Sequence, residues 1–301
     1  MPDFIQRKLE AIITMGSYTD PRTQKSVQPT FAGSNGSSEI TLSGHRMLAS
    51  ISKAGGALMS ELNLQVFGMS LSVMNDLSTL GMLPGFVSNN TITLNAGDTS
   101  ATSMAFQGSI VNAWVDFDGV NVSFRVLAQA GAYQAVQNIP ASSYQGTADA
   151  ADIIENLAGQ MGLQFENNGV SVKLSNPYLS GSARTQFETV KYAAGINGII
   201  DNGVLAIWPK GGSRASGNPL ISPSTGLIGY PGFNQQGIAV NTLFNPNVVF
   251  GGDIQVQSSI TPACGTWRVY AIDHDLSCEM PGGPWFSRIL AGPPGQTPVI
   301  Q

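Results

Sequence analysis

The chain has 301 residues and a formal net charge of −5, with only 11% of its residues charged. Soluble domains average about 25% charged residues, so this surface must be covered by Ser, Thr, Asn, Gln and Gly, or by other protein, as in obligate assemblies. Low charge argues against disorder, and an acidic balance with no basic run beyond Arg7-Lys8 argues against a nucleic-acid binder that works by neutralising phosphates.

In chain order, Phe4, Ile5, Leu9, Ile12 and Ile13 predict an opening strand or strand pair, followed by a polar loop over Tyr18–Ser38. Glu39–Leu42 starts a strand that continues, after a kink at Gly44, through Arg46–Ser52. Glu61–Gly68 alternates with Leu62, Leu64 and Val66 on one face. Ser70–Leu80 reads as a short helix capped by Ser70 and stopped by Gly81. Thr91–Leu94 is a strand and Asn95–Asp98 a turn. Met104–Phe117 and Val120–Ala128 form a hairpin across Asp118-Gly119, a strong hairpin signal.

The pattern changes near Gly146. Thr147–Met161 predicts an amphipathic helix capped by Thr147 and ended by Gly162, with Ile153, Ile154, Leu157 and Met161 in one stripe. Val170–Leu174 alternates as a strand, Ala183–Ala194 reads as a second helix, and Gly203–Trp208 as a closing strand. A Gly/Ser/Pro-rich linker follows over Gly211–Ser224. Gly226–Ala291 has a β-meander signature, with strands at Val248–Ile260, Thr266–Leu276 and Trp285–Leu290 separated by Gly and Pro. The organisation is β, then α+β, then β, with expected boundaries at 1–135, 136–212 and 213–301.

Catalytic signatures are missing: there is no GxSxG, HExxH, P-loop or Rossmann glycine pattern. The histidines are His45 and His274. Asp273-His274-Asp275 is the most suggestive cluster, but on a strand the aspartates share one face and His274 points to the other, so they cannot converge on a metal. His45 fits a bulge held by a hydrogen bond. Asp116 and Asp118 suit turn chemistry, and Asp149, Asp152 and Glu155 suit the positive end of a helix. Of the tryptophans, Trp114, Trp267 and Trp285 are candidate core or interface anchors. The two cysteines, Cys264 and Cys278, form no disulfide framework, and two reduced thiols are the simpler expectation. No apolar run reaches the roughly 18 residues of a membrane span, and Asp3 and Glu10 interrupt any secretory leader.

Gly237-Ile-Ala-Val-Asn-Thr-Leu-Phe-Asn-Pro, Gly252-Asp-Ile-Gln-Val-Gln-Ser, Gly265-Thr-Trp-Arg-Val-Tyr-Ala-Ile-Asp-His-Asp-Leu and Gly283-Pro-Trp-Phe-Ser-Arg-Ile-Leu together resemble the C-terminal domain of the baseplate hub proteins of contractile-tailed bacteriophages. The middle module, closed by Asn202-Gly-Val-Leu-Ala-Ile-Trp-Pro-Lys-Gly, resembles the domain inserted in those hubs. Ile40-Thr-Leu-Ser-Gly-His-Arg and Leu64-Gln-Val-Phe-Gly-Met are similar to their first tube-type domain. The resemblance implies a mainly β fold: two tail-tube-like antiparallel β-barrel or sandwich domains with a small α+β domain between them. It implies a homotrimer whose six tube-like domains adapt a sixfold tail tube to a threefold central spike. Partners would be the tube protein, the spike, other baseplate proteins and DNA in transit, with no cofactor and no enzymatic activity. The chain would be made in the host bacterial cytoplasm and end in the virion tail. The competing expectations are a distal tail or tube-initiator protein, the hub of a related injection or secretion system, a peptidoglycan hydrolase and a carbohydrate-binding module.

Overall fold

The computed structural model describes residues 6–20, 22–31, 36–55, 58–78, 89–118 and 121–295. The fold is mainly β and divides into two compact units. The first comprises Met1–Ser52, Glu61–Ala130 and His274–Trp285; the second comprises Lys53–Ser60, Gly131–Asp273 and Phe286–Gln301.

The first unit is built on antiparallel strands β1 (Arg7–Thr14), β4 (Glu39–Ser43), β5 (Met47–Lys53, whose last residue falls in the second unit), β6 (Glu61–Phe67), β7 (Thr91–Asp98), β8 (Thr102–Asp118) and β9 (Asn121–Gln129). A two-stranded excursion, β2 (Tyr18–Thr19) with β3 (Ser26–Val27), sits inside the stretch read as a plain polar loop. The sheet order is β5-β6-β9-β8-β7-β1-β4. Strict period-two alternation drives it. Met47, Ala49 and Ile51 on β5, Leu62, Leu64 and Val66 on β6, and Phe124, Val126 and Ala128 on β9 are all buried on one face.

Two local expectations change in this unit. Asn95–Asp98 is strand, with a register shift between Leu94 and Asn95; the turn follows it, held by Asp98 Oδ1, which accepts from Ser100 N at 2.7 Å and Ala101 N at 3.0 Å. β5 does not continue β4: β4 pairs with β1, and β5 with β6. The helix α1 covers Leu71–Ser78, and its predicted stop at Gly81 lies outside the described residues, as do Phe4, Ile5 and the turn residue Gly119.

After Lys53–Ser60, the second unit continues with α2 (Ala132–Val136) and the short strands β10 (Ser142–Ser143) and β11 (Thr147–Asp149). Then come α3 (Ala150–Met161), β12 (Gln164–Asn167), β13 (Lys173–Ser175), β14 (Tyr178–Leu179), α4 (Ala183–Ala194), β15 (Ile196–Asp201) and β16 (Val204–Pro209). Thr147 does not cap the helix. It pairs with Ser175 across β11 and β13, and Asp149 is the cap, its carboxylate accepting from Ala151 N at 2.9 Å. Gly162 does end α3, in the left-handed conformation that a residue without Cβ adopts most readily. The expected strand over Val170–Leu174 shrinks to β13, because Val170 instead closes an Asn167 side-chain turn. α3 and α4 lay Ile153, Ile154, Leu157, Phe187 and Val190 in one core with Leu205 and Ile207 of β16.

The rest of the unit is β17 (Leu220–Ile221), β18 (Leu227–Asn234), β19 (Gly237–Leu243), β20 (Asp253–Val256), β21 (Gly265–Cys278) and β22 (Trp285–Gly292). From His274 onward β21 belongs to the first unit, as does Trp285 of β22. This is not a meander. β19 pairs with β22, while β20 pairs with β21 and, in parallel, with β17. The expected strand over Val248–Ile260 is only β20, because Val248 and Phe250 are buried in the connection that carries the chain away from β19. Val240, Ile254, Val269, Ile272 and Ile289 form a core separate from the helical one.

Candidate functional site

The stretch read as a linker carries a buried charged residue of the second unit that is held on several sides. Arg214 is buried, its backbone N–H donating to Gly251 O at 2.8 Å. Its guanidinium grips two carboxylates. Nε lies 3.2 Å from both Glu166 oxygens, Nη2 lies 3.0 Å from Oε2, and Nη1 lies 3.1 Å from Asp201 Oδ2. Lys53 Nζ completes the group at 2.8 Å from Asp201 Oδ1. Two cations thus face two anions, the arrangement that makes a buried charge tolerable. Burial pushes the Asp201 carboxyl up, but Lys53 and Arg214 outweigh it, and the net shift is below the ordinary carboxylate range. Burial also opposes ionisation of Glu166, and hydrogen bonds from Arg214 and Asn168 again bring it below its ordinary value. The group is an architectural lock, with its polar atoms directed at one another.

The Asp273–Asp275 cluster alternates on β21 as its strand setting requires: His274 is 3% exposed while Asp275 is exposed. Among the described residues no group of three or more His, Cys, Asp or Glu could hold a metal ion. His45 follows Gly44 (φ +71°), and its Nδ1 is 3.1 Å from Phe67 O. Neither cysteine is in a disulfide. Cys264 is exposed, while Cys278 is buried and donates to His45 O at 3.1 Å. Burial pushes the Cys278 thiol up.

The tryptophans fall into different settings. Trp285 is buried in the first unit with the Arg7 guanidinium 5.5 Å from its ring centroid. Trp267 is half-buried against the second unit's β core and donates Nε1–H to Ala263 O at 2.9 Å. Trp114 is 38% exposed. Trp208, outside the anchor set, is buried and meets Phe250 edge-on at 6.2 Å.

Trp114 belongs to a polar sheet face of the first unit. Cross-strand register aligns Leu48, Gln65, Arg125 and Trp114 in one row over β5, β6, β9 and β8. Ser50, Asn63, Leu127 and Asn112 form the next row, and Ser52, Glu61, Gln129 and Ser109 the third. The exposed surface of the second unit is different in kind. Leu243 and Phe286, directly opposed on β19 and β22, are both exposed, and Ile228 lies exposed on the adjoining β18.

A family model described as baseplate hub gp41 matches residues 27–280. The chain belongs to the baseplate hub gp41 family. As a baseplate hub protein it is a structural component of a phage tail baseplate, and therefore of the virion tail. Solved structures share its fold. The 43 kDa tail protein of prophage MuSo2 from Shewanella oneidensis matches with a TM-score of 0.58 at 10% identity, covering 95% of this chain and 97% of that one. The tail protein from Neisseria meningitidis MC58 matches with a TM-score of 0.58 at 8% identity, covering 94% and 96%. The E. coli c3393 protein is described as a type VI secretion component with structural similarity to the T4 bacteriophage tail proteins gp27 and gp5. It matches with a TM-score of 0.55 at 10% identity over 84% of this chain and 76% of that one. No functionally curated protein matches the sequence. No helix among the described residues is long and apolar enough to cross a membrane.

Proposed function

We propose that this baseplate hub protein acts as a homotrimer that joins the sixfold tail tube to the threefold central spike and encloses the channel through which DNA leaves. The family match over residues 27–280 carries this reading. Three further features support it. Charged residues make up 11% of the chain, which suits one that hides much of its surface in permanent contacts. Leu243, Phe286 and Ile228 leave an apolar patch on one sheet face. The helical core and the following β core of the second unit are separate, which fits three domains at 1–135, 136–212 and 213–301. Tube protein, spike and other baseplate proteins are then its partners, Trp114, Trp267 and Trp285 its anchors, and the role is non-enzymatic. The chain is synthesised in the host cytoplasm before assembly.

Mass measurement of the purified protein and copy counting in assembled particles test this directly. Three copies are expected; six would favour a tube-initiator ring, and a monomer in both settings would overturn the reading. Likeness to a type VI secretion component favours, as second reading, a hub of a related injection machine, distinguished by particles that carry no DNA.

A further inference from the structure

The Gly/Ser-rich stretch 211–216 joins the helical module that ends with β16 to the β module that begins with β17. Joints of this composition are flexible unless something holds them. Here consecutive residues are fastened to alternate sides. The carbonyls of Gly211 and Gly212 both accept from Arg268 Nη1 on β21, the first at 2.8 Å. Arg268 is aimed by Asp253, its cross-strand neighbour on β20, with Nε 2.7 Å from Oδ1 and Nη2 3.2 Å from Oδ2. Arg214 reaches both ways: its backbone N–H goes to Gly251 O in the β module, and its guanidinium goes to Glu166 of β12 and Asp201 of β15 in the helical module. Ala215 N then donates to Asn168 Oδ1 on the helical side at 2.9 Å. Ser216 Oγ returns to the β side, donating to Asp253 O at 2.9 Å and accepting from Asp253 N at 3.1 Å.

The two modules also share an apolar contact. Ile199, Ala206 and Trp208 of the helical module pack with Phe250 of the β module. Gly251 lets the Trp208 ring come so close that a Cβ there would lie 2.5 Å from it. Arg214 and Arg268 are both buried. Pulling the stretch away from either module would therefore strip interior carboxylates and carbonyls of their donors, which is a costly state. We propose that residues 211–216 are a clasp rather than a hinge, locking the helical and β modules of the second unit into one rigid body although their main cores are separate. A displacement imposed on one module by a baseplate neighbour is then carried to the other.

Trypsin tests the clasp on the purified full-length chain, because Lys210 and Arg214 put targets at its start and its middle. Cutting there is expected to be no faster than global unfolding in the wild-type protein. Arg214→Lys keeps the charge and the tryptic target but loses the fork that spans two carboxylates. It is expected to be cut several-fold faster at the stretch with both modules still folded. Should Arg214→Lys not fold, Asn168→Ala, which releases Ala215 N, makes the same comparison with a smaller increase. Rigidity is read separately, as the distance between spin labels on Cys264, the exposed thiol of the β module, and on Tyr192→Cys, at an exposed position of α4. One narrow distance distribution is expected, broadening when the clasp is weakened. Rapid cutting at the stretch in folded wild-type protein, or a broad distribution in it, would overturn the proposal. So would folded variants that keep the wild-type cutting rate or the wild-type distribution, because something other than these side chains would then hold the modules together.

Discussion

Lys53 Nζ lies 2.8 Å from Asp201 Oδ1, a buried ion pair between residues 148 positions apart in the chain. Removing one partner strands the other charge in a dry environment. Asp201→Asn is therefore expected to cost about 3 kcal/mol of folding stability. The double variant Lys53→Met/Asp201→Asn should recover part of that loss, because it no longer buries an unpaired ammonium. Denaturant unfolding of the three proteins checks this; equal losses in the single and double variants would show that the pair is not coupled.

The same group sets an acid limit. Asp201 and Glu166 both titrate below their ordinary values in the folded chain. Groups of this kind contribute their full stabilisation above the unfolded carboxylate pKa of about 4 and lose it as the pH falls through the lowered folded value. Melting temperature should be flat with respect to these two groups at neutral pH and fall on acidification below that point. In Asp201→Asn the acid-dependent part of the fall should shrink, and an unchanged pH profile would contradict the assignment.

Gly55 holds φ +67°, and a Cβ there would come within 1.9 Å of the Phe250 ring. Phe250 in turn packs edge-on against Trp208. Gly55→Ala must therefore displace an aromatic pair, and its expected cost is about 2 kcal/mol. Gly146→Ala, also at positive φ but with open space around it, should cost less in the same unfolding experiment, since only backbone strain acts there.

Two tryptophans should respond oppositely to truncation. Trp208→Ala empties a buried site and is expected to cost about 4 kcal/mol. Trp114→Ala removes a partly exposed ring and should leave the unfolding midpoint nearly unchanged. A large loss at Trp114 in the isolated protein would show that the ring is core rather than surface.

What the sequence made legible follows from how local each signal is. α4 was readable at its full length, Ala183–Ala194, because its apolar stripe is contained in the segment. The Glu61–Phe67 alternation and the opposite faces of His274 and Asp275 were readable for the same reason. β15 was missed because Ile199, Ile200 and Asp201 are buried in succession, which hides period two. β18 was missed because its pairing with β19 shifts register between Ile228 and Gly232, within a segment rich in Gly and Pro. Arg214 lay in a stretch whose composition reads as solvated linker, and its partners Glu166 and Asp201 are 48 and 13 positions away. No short-range pattern announces such a contact. The polar sheet face had the same difficulty: local patterns identified its strands singly, and only cross-strand register assembled the rows.

The contrast between the two thiols bears on life outside the cell. A particle released into air meets oxidants without a cytoplasm to repair it. Oxidation of cysteine proceeds through the thiolate on an accessible sulfur. Cys278 is buried, donates its proton to His45 O, and is held above its ordinary pKa, so ageing chemistry is directed to Cys264 on the surface. The interior thiol of the first unit is thereby shielded from oxidation, and a disulfide between two free copies of this chain would form at Cys264 Sγ.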